Sequence, residues 1–455
     1  MVSAGVAAGH AATADAALEI LSDGGSAADA AVAGCLASCA AETIMTGLLG
    51  GGHAVYLDAR DGSVRNIDCF VAVPSGRGGE LLRLEVPFGA ELVHYAVGPA
   101  SCGVPGVPAG LDALWRAGGR LPWARLVEPA LRLARDGVVL EPAHAACLAM
   151  LEPVMTMNRG AELHAPGGSL LGTGDRLVQP GLVAALEIVA DEGCTSVYRG
   201  SIAEALLGVD GVTVTRADLA AYEARWTEPV EVPYLGLRVL TRGGLSGIPE
   251  TLARLPALAA LSPAEKVVAL VDALELGGLE GHTTNLTVVD SEGNACVLTT
   301  SLGLGSGDFL PGLDLHLNSM LGEVDLVREP LVPGGRMESM MAPTLALDAD
   351  GLVLAAGSAG GTRLRTALVG VLAGILDEGL DSATAVERPR FHPAGAVVNA
   401  EPGVDEDGLA LLEERGWSVR RWPGRHHYFG GVSVVAGRGA AGDPRRDGAA
   451  RLVSA

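Results

Sequence analysis

One stretch constrains this chain more than any other. Residues Gly281–Ser301 read GHTTNLTVVDSEGNACVLTTS. Thr283–Asp290 and Ala295–Ser301 are both rich in β-branched residues, and Ser291-Glu292-Gly293-Asn294 lies between them. Glycine in a short polar linker supplies positive φ cheaply, so the pattern predicts a β-hairpin, and the fold must hold a sheet that accommodates it. Two threonines open the first strand, directly after a glycine-rich approach from Leu276 to His282. A threonine hydroxyl is a poor nucleophile until a base sits beside it. Cutting the chain before Thr283 would supply that base, because a free α-amine titrates at roughly 7.7–8.0 whereas an amide nitrogen has no useful basicity. The bland alternative is a threonine-rich strand with no chemistry, and composition alone favours it.

Further motifs narrow the choice. The hairpin carries Thr283, Thr284, Asn285, Thr287, Asp290, Gly293 and Ala295. Elsewhere stand GGSAADAAVAG (Gly24–Gly34), GLLGGGH (Gly47–His53), PGVPAGL (Pro105–Leu111), RMESMMAPT (Arg336–Thr344), GSAGG (Gly357–Gly361) and DPRRDG (Asp443–Gly448). In this order, across nearly the whole chain, they resemble the γ-glutamyltranspeptidase family of N-terminal-nucleophile (Ntn) hydrolases, whose small subunit opens Thr-Thr-His-x-Ser-x-x-Asp-x-x-Gly-x-Ala. The resemblance implies an α+β fold, a four-layer αββα sandwich. It implies self-cleavage between His282 and Thr283 into a large-subunit segment 1–282 and a small-subunit segment 283–455, interwoven as one compact αβ unit, alone or doubled. Thr283 would be the nucleophile of a hydrolase or acyltransferase, forming an acyl-enzyme passed to water or an amine. Ser301 matches a family threonine that hydrogen-bonds the nucleophile. Gly360 and Gly361 match the glycine pair whose N–H groups form the oxyanion hole.

The same resemblance singles out the acyl pocket by its departures. Ser339 matches the first of two serines that hold the donor's α-carboxylate, and Met340 replaces the second. Gly303 stands where the family has an asparagine. A glutamine–aspartate pair that grips the donor's amino group falls on Ser319 and Gly322, with Glu323 a neighbour. The carboxylate-binding arginine has no matching position; Arg77 lies nearby with the wrong spacing. Asn285 replaces a histidine, and Gly243–Gly247 stands for a longer Pro-Pro-Ser-Ser-Gly-Gly element beside the cleft. Buried ammonium and carboxylate groups need partners, so a standard γ-glutamyl donor, as in glutathione metabolism, is not expected. A less charged or bulkier acyl group is, with Leu302 and Leu304 adding apolar surface. The alternative within the family is a biosynthetic hydrolase that cleaves an amide or a C–C bond of a specialised metabolite; relatives in 4-alkyl-proline antibiotic pathways use the same nucleophile on a C–C bond.

Composition excludes other classes. Lys and Arg total 32 against 54 Asp and Glu, and the net charge of −22 repels phosphate backbones and anionic lipid, so a small molecule is the expected partner and nucleic acid and membrane are not. No basic and apolar leader opens the chain, which sets the expectation of a cytoplasmic protein. Aromatics make up only 4%, so Ala, Val, Leu and Gly must build the core. The seven cysteines show no C-x-x-C spacing and read as small buried hydrophobes, and no metal or cofactor is expected.

Periodicity predicts helices over 11–21, 26–40, 121–137, 181–191, 216–225, 264–275 and 363–376. It predicts strands over 53–58, 64–68, 313–317, 344–347 and 352–356. Arg425-His426-His427-Tyr428 reads as a surface loop. Two rival readings remain. Ala356-Gly357-Ser358-Ala359-Gly360 is close to a Gly-x-Ser-x-Gly nucleophile elbow, with Asp381 or Asp405 and then His427 following in order, although no βαβ series leads into it. An unprocessed, non-catalytic relative is the other.

Overall fold

The computed structural model describes residues 2–88, 91–274, 283–323, 326–327, 330–437 and 439–453. Two sheets stack face to face. The first has seven strands in the order Ala449–Leu452, Gly5–Ala8, Thr284–Val289, Ala295–Ser301, Gly51–Asp58, Ser63–Cys69 and Arg225–Thr227. The second has six, in the order Gly439–Gly442, Gly431–Ala436, Gly351–Ala359, Thr344–Asp348, Leu237–Thr241 and Val230–Tyr234. The neighbours for which pairing is recorded run antiparallel.

Alternation along the strands divides the core. Val55, Leu57, Val289, Val297, Leu345, Ala355 and Val435 meet between the sheets. Their sequence neighbours Ala54, Tyr56, Val288, Cys296 and Leu298 pack outward against Ala11–Ser22, Ala27–Ala41, Val107–Gly118 and other helices. On the far side, Leu354, Ala356, Val432 and Val434 pack against Ile248–Arg254, Pro263–Leu274, Arg363–Leu376 and Ser382–Glu387. These are the four layers of an αββα sandwich.

Small residues make the close approaches. Every residue of Ala27–Ala41 is buried. A Cβ on Gly34 would come within 2.6 Å of Leu286 Cδ2, so glycine lets this helix lie directly on the hairpin. The helix starts with a capping box between Ser26 and Asp29, and its Ala27 N–H donates to Asp290 Oδ2 at 2.9 Å. Asp290 also accepts from the N–H groups of Glu292 and Asn294, which closes the hairpin turn around Gly293 at φ +86°. One carboxylate thus ties turn and helix together.

Most predicted elements lie within one to three residues of the observed ones, and Arg363–Leu376 coincides. Three differ. The helix at 216 stops at Ala221, and Arg225 starts an edge strand, because Tyr222 turns inward to donate its hydroxyl to the Phe70 carbonyl at 2.6 Å. Residues 313–317 form no strand; Phe309 and His316 make a single bridge, and the loop is held by its own backbone bonds. His427–Phe429 is a buried 3-10 turn, with the His426 and His427 rings 4.1 Å apart, where a surface loop was expected. All seven cysteines are buried and unpaired. Among the described residues no helix is long and apolar enough to cross a membrane.

Candidate active site

The register of the hairpin positions its opening threonines. Thr284 pairs with Thr300, and continuing by one residue sets Thr283 beside Ser301. Alternation sends Thr284 toward the helices and Thr283 toward the second sheet. The next inward residues confirm the direction: Thr287 Oγ1 donates to the Ser433 carbonyl at 3.0 Å, and Ser433 Oγ donates to the Asn285 carbonyl at 3.1 Å, both across the sheets. Asn285 is a structural bridge, its side chain held by Thr287 and Thr299.

The glycine pair arrives from the opposite sheet. Strand Gly351–Ala359 ends at Gly360 (φ +125°) and Gly361 (φ +58°), and helix Arg363–Leu376 begins immediately after. Few side chains tolerate those φ values, and a Cβ on Gly360 would lie 2.8 Å from Gly430 Cα. The turn delivers the Gly360 N–H to Thr283 Oγ1 at 3.0 Å. Thr283 is buried at 5% exposure, so this contact forms in a site of low dielectric.

Thr283 stands between two cavities. One is shared with Ser301, Gly361, Ser339 and Met340, which were singled out from sequence, and is walled by Phe70, Met320, Leu326, Met341 and Leu364. Its polar groups besides Thr283 are Ser301, Ser339 and Glu323, and no arginine or lysine lines it among the described residues. Ser301 Oγ accepts from the Gly303 N–H at 2.9 Å. Ser339 Oγ accepts from the Met341 N–H at 3.2 Å, while its carbonyl accepts from Arg242 Nη1 at 2.6 Å. Arg242 immediately precedes the Gly243–Gly247 element, none of whose residues lines either cavity.

Other expected pocket residues lie elsewhere. Ser319 sits behind Gly303 and accepts from the Leu304 N–H at 3.0 Å, a loop-holding role. Gly322 is pressed on the Ala96 carbonyl, which a Cβ would approach to 1.6 Å. Its neighbour Glu323 reaches the cavity instead. Leu302 packs beneath Gly47, and Leu304 joins Ile44, Met45 and Tyr95 in a separate core, so neither supplies the apolar wall. Arg77 is exposed and lines neither cavity. His282 lies outside the described residues.

The second cavity lies on the opposite side of Thr283 and was not foreseen. Its walls include Glu42, His144, Cys147, Asp443 and Arg446. Glu42 is buried and accepts hydrogen bonds from Thr13 and from Thr284, so it fixes the second threonine. Burial pushes its carboxyl above the usual range, against the opposing pull of His144 and the two hydroxyls. His144 Nδ1 meets Asp447 Oδ2 at 3.1 Å. Burial, then the neighbouring His144, lowers His10 to about 4. The signal for Glu42 was present: it is an acid directly after the buried, alanine-rich helix Ala27–Ala41. Among the described residues no group of three or more His, Cys, Asp or Glu is arranged to hold a metal.

Ser358 does not fit a nucleophile elbow. It lies within strand Gly351–Ala359, paired with Val432, without positive φ, and its hydroxyl reaches only the Ala359 carbonyl at 3.4 Å. Asp381 and Asp405 cap helices.

Two stacked sheets between helical layers, with a threonine at the start of a central strand met by a glycine N–H, define an Ntn-hydrolase fold. The chain belongs to the gamma-glutamyltranspeptidase family, whose profile matches residues 13–276 and 277–453. It is 27% identical over 496 residues to the acylase ACY 1 proenzyme of Pseudomonas sp. (strain V22), covering 92% of this chain and 87% of that one. It is 26% identical over 487 residues to the glutathione hydrolase proenzyme of Escherichia coli (strain K12), covering 88% and 83%. The crystal structure of cephalosporin acylase from Bacillus halodurans superposes with a TM-score of 0.85 at 23% identity, over 100% of this chain and 96% of that one, and supports the fold. The chain is an enzyme of this hydrolase and acyltransferase type.

Proposed function

We propose that the chain cleaves itself between His282 and Thr283 and then acts as a threonine acyl hydrolase or transferase on amides with an apolar acyl group. The contact between the Gly360 N–H and Thr283 Oγ1 carries this reading. In self-cleavage, Thr283 Oγ attacks the His282 carbonyl, the peptide shifts to an ester, and water releases residues 1–282. The freed amine of Thr283 then takes the hydroxyl proton as the hydroxyl attacks the substrate carbonyl. Negative charge develops on that carbonyl oxygen, where the N–H groups of Gly360 and Gly361 would stabilise it. The amine returns the proton to the leaving nitrogen, and water or an amine acceptor releases the acyl group. Ser301, beside Thr283 in the register, would orient the nucleophile.

The cavity walls support the acyl preference. Phe70, Met320, Met340 and Met341 suit a hydrophobic or aromatic group, and methionine adapts to irregular shapes. No cation stands ready for an α-carboxylate among the described lining residues. Of the two sequence relatives compared above, one is named an acylase and one a glutathione hydrolase; the cavity favours the former chemistry.

The test compares phenylacetyl-p-nitroanilide with γ-glutamyl-p-nitroanilide on purified protein, with and without an acceptor dipeptide. The expected kcat/KM is higher for the phenylacetyl compound by at least about tenfold, since the ammonium and carboxylate of a γ-glutamyl group would be desolvated there without partners. Thr283→Ala should stay one chain and turn over neither. Equal or better use of the γ-glutamyl compound would overturn the acyl preference.

A further inference from the structure

The cavity behind Thr283 has a role to fill that acyl binding does not use. It holds a guanidinium, that of Arg446, only 6% exposed. Its contacts are weak: Nη1 lies 3.9 Å from Met45 Sδ and Nη2 lies 3.5 Å from the His427 carbonyl. Nε has no partner, and among the described residues no ion pair engages this side chain. Burying an unpaired charge costs free energy. A Cβ placed on Gly360 would lie 3.2 Å from Arg446 Nη2. The charge therefore stands directly behind the glycine whose N–H meets Thr283 Oγ1.

We propose that Arg446 is a positioning residue whose charge keeps the α-amine of processed Thr283 in its neutral, proton-accepting form. This rests on the reading of Thr283 as an N-terminal nucleophile. A base must be unprotonated to work, and a nearby like charge in a buried site disfavours the ammonium form. Arginine stays charged at any working pH, so the effect is constant. The other groups around the amine offset it little. From the end of Ala27–Ala41, Glu42 is tied to two threonine hydroxyls, and burial favours its neutral form. From Pro142–Met150, His144 is engaged with Asp447, and burial pushes the Cys147 thiol up to about 11. Asp443 is taken by Arg390 and Arg445, at 2.5 and 3.2 Å. Glu323 faces the acyl cavity on the other side of Thr283.

The experiment is the pH dependence of kcat/KM for processed protein with phenylacetyl-p-nitroanilide. Wild type should show an acid limb below the ordinary α-amine range of roughly 7.7–8.0. Arg446→Met should move that limb up by about one pH unit, an approximately tenfold loss of rate on the acid side. Arg446→Lys, which keeps a charge, should stay near wild type. Coincident limbs for Arg446→Met and wild type would overturn the proposal. If Arg446→Met does not fold, the wild-type amine is titrated directly, by the pH dependence of its labelling with acetic anhydride and the mass of the N-terminal peptide. An amine pKa in or above the ordinary range overturns the proposal alone, because processing would still hold. A wild-type chain with no free Thr283 amine overturns both readings.

Discussion

Thr284 and Glu42 show how much a single buried contact controls behind the nucleophile. Glu42 takes hydroxyl donors from Thr13 on one helix and Thr284 on the central strand. Thr284→Val keeps the shape and removes one donor from a buried acid. It should cost about 1–3 kcal/mol in urea unfolding of the intact protein. Ser358→Ala removes only a weak contact, so full activity is expected in the p-nitroanilide assay; loss of activity in a stably folded variant would reopen the elbow reading. Thr283, Ser301, Gly360, Gly361, Ser339 and Met340 were legible in the sequence because short motifs carry them. Phe70, Glu323, Glu42 and Arg446 were not, since the topology brings them in from distant segments. Glu323 illustrates the limit: position counting pointed to Gly322, whereas close packing on Ala96 turns the next side chain into the cavity.

Among the elements, the strand-to-helix turn at Gly360 and Gly361 is the most exacting. Gly360→Ala would need a side chain at φ +125° with its Cβ 2.8 Å from backbone. The turn should shift and withdraw its N–H from Thr283 Oγ1. The expected result is a loss of about 10²-fold in kcat, the scale of one lost oxyanion donor, with KM little changed. Unaltered kcat would show that this N–H is not aimed at the reaction. The hairpin, the Ala-rich helix and Arg363–Leu376 were readable from periodicity and turn chemistry. The strand expected over 313–317 was not realised, because alternating leucines there serve a self-bonded loop with Leu310, Leu313, Leu315 and Leu317 all buried. Alternation alone does not distinguish that from a sheet strand.

Across the whole molecule, both sheets draw strands from both sides of residue 283. Gly5–Ala8 pairs with Thr284–Val289 and with Ala449–Leu452, and Leu237–Thr241 pairs with Thr344–Asp348. Two pieces cut at Thr283 would share one core, so they should coelute in mild buffer; separation there would contradict the fold's interweaving. Acid should loosen that core before most carboxylates titrate. Burial lowers His10 to about 4 and His316, His392 and His427 to about 3. An unfolded histidine titrates near 6.5, so the unfolded chain binds protons that the folded one refuses as pH falls below that value. Stability is full above about 6.5 and declines toward 4, by up to about 1.4 kcal/mol per pH unit for each histidine. The melting temperature should fall steadily from pH 7 to pH 4, and a flat profile would contradict the burial of neutral imidazoles. The central claim is that Thr283 becomes an N-terminal nucleophile, and the intact mass of the purified protein under denaturing conditions tests it most directly. The account predicts two masses, those of residues 1–282 and 283–455, with Thr283→Ala giving one. An active wild-type protein found only as a single uncut chain would contradict it.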